Sequence, residues 1–94
     1  RNYLSINDKK LLTLTNITSL NLRFNYMIST ETIFRLSKLT NLDLSNNVVI
    51  TAVPPNIKTL KLNKNVVIGN VNHLTNLTKL DLSDNDMITN GEIS

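Results

Sequence analysis

Apolar and polar residues alternate along this chain in short bursts, and the bursts repeat. Leu20 and Leu22, Leu42 and Leu44, Leu60 and Leu62, and Leu80 and Leu82 are each followed three places on by an asparagine (Asn25, Asn47, Asn65, Asn85), giving L-x-L-x-x-N four times. An apolar residue precedes each first leucine by three places (Ile17, Leu39, Ile57, Leu77), and an isoleucine follows each asparagine by three (Ile28, Ile50, Ile68, Ile88). Spacing of i, i+2 puts both leucines of a pair on one face of a strand. The pattern therefore predicts strands near 19–23, 41–45, 59–63 and 79–83. Recurrence roughly every 20 residues makes each phrase one unit of a stack. A single such unit cannot bury its apolar edge. Stacking closes the core between rungs, with parallel strands about 4.8 Å apart on one side and the returning chain on the other. The asparagine falls where the strand must end. Its side chain can replace backbone hydrogen bonds and it tolerates unusual φ/ψ. Stacked copies would set these amides in a row, each bonding the backbone of its own and neighbouring turns.

A degenerate fifth rung precedes the four. Leu4-Ser5-Ile6-Asn7-Asp8-Lys9 keeps the strand alternation, near 3–7, with Leu12 in the returning position and Lys9 where the asparagine would stand. That departure weakens the amide row at this end and suits a first or capping turn. The return segments differ in length and content. Between Asn25 and Leu39, Ser29 or Thr30 can cap a helix start, Glu31 sits well in a first turn, and Ile33, Leu36 and Phe34 are candidates to face inward. A short helix is expected from about Thr30 to Ser37. Val53-Pro54-Pro55 forbids an ordinary helix and favours an extended, polyproline-like backing. Gly69-Asn70 should turn the chain, with Val71 and Leu74 returning to the core.

These residues resemble the leucine-rich repeat family, whose core pattern is L-x-x-L-x-L-x-x-N-x-[IL]. The matching stretches run from Ile17 to Ile28, Leu39 to Ile50, Ile57 to Ile68 and Leu77 to Ile88. The wording of residues 74–85 is similar to the short-repeat, internalin-like or phosphatase-regulator-like subclasses. The resemblance implies an α/β repeat solenoid: a right-handed superhelix with a parallel β-sheet on its concave face and short helical or extended returns on its convex face. Residues 1–94 would form one domain of about five rungs, or a fragment of a longer array. The chain stops at Asn90-Gly91-Glu92-Ile93-Ser94, part-way through a return, so end-to-end contact with further repeat segments is an expectation. The family implies protein binding, with partner choice set by variable residues on the strand face.

Composition narrows the rest. At 94 residues there is room for one small domain. Apolar residues make up 40% but aromatics only 4%, so the core must be aliphatic. Without cysteine there are no disulfides and no thiolate metal site, which fits any compartment. No apolar run approaches the roughly 18 residues of a membrane span. No basic-then-apolar leader opens the chain, so any signal peptide is expected to lie outside these residues. A formal charge of +3 is scattered and forms no basic tail, so neither nucleic acid nor an anionic membrane is the expected partner. Lys58, Lys61, Lys64 and Lys79 form the one local basic cluster and read as a solvated edge.

Nothing assembles into catalytic chemistry. The single histidine, His73, has no evident partner for acid–base work. Asp84-Asn85-Asp86 lacks the glycine and glutamate that a calcium loop needs at set offsets. Two glycines cannot supply a phosphate-binding loop. Asn16-Ile17-Thr18 and Asn76-Leu77-Thr78 have the form of glycosylation sequons, which the abundance of Asn, Thr and Ser produces by chance. No catalytic residue, metal site or cofactor is assigned.

The outward strand face is the candidate site. Its columns are Ser5, Asn21, Asp43, Lys61 and Asp81, then Asn7, Arg23, Ser45, Asn63 and Ser83, with Lys79 beside them. Asp43, Lys61 and Asp81 would be neighbours of alternating sign, pairing with one another or with a partner. Phe24 and Tyr26 flank Asn25, and an exposed aromatic beside a polar face is a natural hot spot. Two readings stay open for Phe24, since phenylalanines of the resembled family often pack inside. The function expected is a non-catalytic protein–protein interaction module that binds through the concave strand face. The alternative is a structural or assembly segment of a larger repeat-containing or surface protein.

Overall fold

The computed structural model describes residues 7–65, 67–69 and 71–85. Four strands, β1 (Ser19–Asn21), β2 (Asn41–Asp43), β3 (Thr59–Lys61) and β4 (Lys79–Asp81), pair in chain order into one parallel sheet. Register follows the repeat: Leu20, Leu42, Leu60 and Leu80 align, as do Asn21, Asp43, Lys61 and Asp81. The architecture is an α/β repeat solenoid. Each strand opens where the pattern starts it and is three residues long, against the five expected. The second leucine already belongs to a turn. Its N–H still pairs across the sheet (Leu22 to Asp43 O, Leu44 to Lys61 O and Leu62 to Asp81 O, all 2.9 Å), but its carbonyl turns back to accept from the repeat asparagine. Asn25 N–H reaches Leu22 O at 3.1 Å, and the same bond recurs from Asn47, Asn65 and Asn85.

The third residue of each of these turns lies in the left-handed region: Phe24 (φ 59°), Asn46 (57°), Lys64 (56°) and Asp84 (59°). A turn of this kind requires positive φ there. The unusual backbone expected at the repeat asparagine thus falls one place earlier. The asparagine is selected for its side chain. Asn47 Nδ2 donates to Leu22 O and Asn25 O, both at 2.9 Å, while its Oδ1 accepts from Val49 N–H and Ile50 N–H, also at 2.9 Å. Asn65 repeats the set with Leu44 O, Asn47 O, Val67 N–H and Ile68 N–H at 2.8–3.1 Å. Asn25 Oδ1 accepts from Met27 and Ile28, and Asn85 Nδ2 donates to Leu62 O and Asn65 O. Buried polar groups demand partners. Here the Asn47 and Asn65 amides each join two rungs and order the turn that follows them.

That core is aliphatic: Leu22, Leu44 and Leu62 from the strand side, Ile28, Ile50 and Ile68 from the ascending turns, and Leu36, Leu39, Val53, Ile57, Val71 and Leu74 from the returns. The returns differ as their sequences do. Helix α2 (Thr30–Phe34) is capped by Ser29, whose side chain accepts from Thr32 N–H. It ends earlier than Ser37 because Arg35 N–H to Thr32 O and Leu36 N–H to Ile33 O tighten the last turn. Ile33 and Leu36 are buried; Phe34 faces outward. Val53 and Pro54 pass through the back of the core without a helix. The turn expected at Gly69-Asn70 falls partly outside the described residues.

The first rung departs from expectation. Its strand, near 3–7, lies outside the described residues but for Asn7. From there the chain forms a single helical turn, α1 (Asp8–Leu11), with Asn7 as the N-cap accepting from Lys10 N–H at 2.9 Å. Lys9 therefore sits on a helix and not in the amide row, and Leu11, not Leu12, is fully buried.

Candidate functional site

Because strand residues alternate, the positions flanking each first leucine point away from the core. The register sets Ser19, Asn41, Thr59 and Lys79 in one column and Asn21, Asp43, Lys61 and Asp81 in the next. Between the columns lie two shallow hollows, one of about 330 Å³ over β1 to β3 and one of about 440 Å³ over β3 and β4. They share Thr59 and Lys61, so together they form a trough crossing the four strands. In the first column Asn41 Nδ2 donates to Ser19 Oγ at 3.0 Å, joining the first two strands.

The second column does two jobs. Asn21 Oδ1 accepts from Arg23 N–H at 3.0 Å, Asp43 Oδ1 from Ser45 N–H at 3.0 Å, and Asp81 Oδ1 from Ser83 N–H at 3.1 Å. Each is a local side-chain cap on the turn that follows its strand. Lys61 has no acceptor to offer. On its rung the orphan Asn63 N–H is taken instead by Ser45 Oγ of the neighbouring rung, at 3.1 Å. This explains a correction to the face: Ser45, expected to point outward, is 2% exposed and serves the turn. One lysine in a column of Asn and Asp was the available signal, since a missing acceptor must be supplied from elsewhere.

Asn21, Arg23, Phe24, Lys61, Lys79 and Ser83 are exposed, and Asp43, Asn63 and Asp81 are partly so. The Asp81 carboxyl is held below the usual carboxylate range. The Ser83 N–H and hydroxyl are the main cause and outweigh the opposing effect of burial, with the Lys61 charge and the Asn63 amide adding lesser contributions. Asn63, with its amide turned to donate, reaches Asp81 Oδ1 at 3.0 Å. Asp81 is thus an oriented anion beside a cation.

At the strand ends the face changes character. Phe24 is 42% exposed, so of its two readings the outward one holds, and the Arg23 guanidinium lies 6.0 Å from its ring centre. Tyr26, Met27 and Val48 are also exposed on the same ascending side. The sequence marked Phe24 and Tyr26 but passed over Met27 and Val48, which the repeat places after Asn25 and Asn47 as ordinary variable letters.

Among the described residues no three His, Cys, Asp or Glu side chains come together in a way that could hold a metal ion. No helix among them is long and apolar enough to cross a membrane. His73 Nε2 lies 3.4 Å from Val53 O, a contact between neighbouring returns. What the arrangement offers is a shallow trough lined by the first leucines of the strands and edged by polar side chains, with an apolar, cationic flank.

Residues 38–60 match a family model described as Leucine Rich Repeat, and residues 73–91 match another with the description Leucine Rich repeat. Both matches are to the repeat at large and not to a subclass. No curated protein matches the chain.

Proposed function

The chain is a leucine-rich-repeat protein, and from that premise we propose that it is a non-catalytic protein-interaction module binding its partner through the concave strand face. One observation carries this reading: four strands in a single register hold Asn21, Asp43, Lys61 and Asp81 as an ordered, largely accessible row above a shallow trough. Three of the four are oriented by bonds to their own turns, so little side-chain freedom remains to be lost on binding. Mixed charge at fixed spacing discriminates among partners more than it adds raw affinity. Arg23, Phe24, Asn63, Lys79 and Ser83 border the row and complete the proposed surface, from which Ser45 is withdrawn. Non-catalytic binding is typical of the repeat, and fold alone names no partner.

The test is partner capture by a variant combining Arg23→Ala, Asp43→Asn and Lys61→Ala. Asp43→Asn keeps the turn acceptor, so the circular dichroism spectrum and unfolding midpoint should stay near those of the parent while capture is lost. Capture that survives in the folded variant would overturn the strand-face reading.

A further inference from the structure

Four turns share a left-handed third residue, and the residue types there are unequal to it. Asn46 and Asp84 enter that region readily, and Lys64 keeps its charge in water. Phe24 fits on neither count. Its backbone is in the left-handed region at φ 59°, which is unfavourable for a bulky side chain, and the residue stays 42% exposed, so burial offsets only part of that cost. Backbone strain of this kind concentrates where a residue serves something other than the fold. The surroundings point to contact. Tyr26 and Met27 are exposed two and three places on, and Val48, in the same repeat position as Tyr26, extends the apolar strip to the next rung. Arg23 lies over the Phe24 ring, and its guanidinium makes no ion pair among the described residues. An exposed arginine stacked on an aromatic is a cation ready to meet an anion without losing an internal partner.

We propose that Arg23, Phe24, Tyr26 and Met27 form the anchor of the partner-binding surface. They would receive a segment of another protein on which apolar side chains flank a carboxylate, the carboxylate meeting Arg23 and the apolar groups covering Phe24 and Tyr26. The proposal rests on the strand face being the binding side and adds where on that side the affinity is concentrated. Aromatic and arginine residues dominate such centres. The polar row of Asn21, Asp43, Lys61 and Asp81 then sets register and selectivity.

The experiment uses the whole chain and a displayed library of random twelve-residue peptides, with Phe24→Asn as the key variant. Asparagine tolerates the left-handed backbone, so Phe24→Asn should raise the unfolding temperature by about 4 °C. It should also weaken capture of the selected peptides at least about tenfold. Those peptides should pair an aliphatic or aromatic residue with a nearby Asp or Glu. Arg23→Glu should weaken capture similarly and regain it when that acid is changed to lysine. A lowered unfolding temperature for Phe24→Asn would show that the ring holds the fold, and would overturn the anchor. Failure to find any peptide whose capture depends on Phe24 overturns it too. Peptides lost on changing Asp43 and Lys61 but indifferent to Phe24→Asn would remove the anchor and leave the strand-face reading intact. Concentration-dependent sedimentation abolished by Phe24→Asn would make a second copy of this chain the occupant, against the partner proposed.

Discussion

Lys61 illustrates how one side chain redistributes the work of its neighbours. Asn21, Asp43 and Asp81 each take up the first free N–H of the turn that follows them, and lysine cannot. Ser45 fills the gap from the adjoining rung and is buried in doing so, whereas its counterpart Ser83 is exposed and bonds the Asp81 carboxylate. Two serines in equivalent positions therefore differ in consequence. Ser45→Ala leaves the Asn63 N–H without its acceptor and should cost about 1–3 kcal/mol, while Ser83→Ala should stay within about 0.5 kcal/mol. Urea unfolding of both variants checks this. Adding Lys61→Asn to Ser45→Ala restores a local acceptor of the kind Asn21 supplies, without stacking a third carboxylate between Asp43 and Asp81, and should recover most of the loss. At this scale the sequence was only half legible. The row of repeat asparagines could be read because their fixed spacing implies stacking. The swap between Lys61 and Ser45 could not, because it joins two rungs through one hydroxyl, and nothing in the spacing distinguishes a serine that turns inward.

At the scale of elements, alternation located the four strands by their leucines, and Ser29 with Glu31 located α2. What misled was α1. Asn7-Asp8-Lys9-Lys10-Leu11 holds a cap, an acid in the first turn, bases in the last and an apolar residue four places from the cap, all local helix signals. The periodic reading passed over them because it extended the repeat by analogy to Leu4 and Ile6. Strand length was misjudged for a related reason: the second leucine serves strand and turn together, and the left-handed residue two places on ends the strand earlier than apolar spacing alone suggests. The short helical turn has a use of its own. Asp8 Oδ1 accepts from Ser29 N–H at 2.7 Å, tying the first described return to the start of α2. Burial pushes the Asp8 carboxyl up, but the Ser29 N–H and the Thr32 and Ser29 hydroxyls together outweigh it and leave its pKa lowered. A carboxyl lowered in the folded state stabilises fully above its unfolded value, near about 3.9, and loses that contribution as pH falls through the folded value. Asp8→Asn removes the charge and keeps the shape. Thermal unfolding of the parent and this variant should differ near neutral pH, and the gap should close below about pH 4. A gap that persists unchanged in acid would show that the carboxylate charge is not what stabilises the α1–α2 contact.

For the molecule as a whole, stability resides in interfaces between rungs and not within them. No rung encloses a core of its own, and every strand bond and every bond donated by a repeat-asparagine side chain described above crosses from one rung to the next. Such an array unfolds either as one unit or rung by rung, depending on whether the coupling between neighbours exceeds the intrinsic instability of each. Asn65 tests the balance. Its side chain makes four bonds, two to carbonyls of the preceding rung and two to N–H groups of its own, all to buried or part-buried backbone. Asn65→Ala strips those groups of their partner, at a cost of roughly 3 kcal/mol or more, a large share of the about 5–15 kcal/mol a small domain has. The aliphatic core, though, runs without a break past this position, from Leu44 and Ile50 to Leu62 and Ile68 and on to Val71 and Leu74. That continuity favours cooperative unfolding. The expected outcome is a single urea transition at a lower midpoint with an unchanged slope, since the slope follows the surface exposed on unfolding. A shallower slope, or a second transition, would mean that the rungs on either side of Asn65 melt separately. The strand face would then lose its common register when one amide fails, and a binding surface spanning four rungs would depend directly on the asparagine row beneath it.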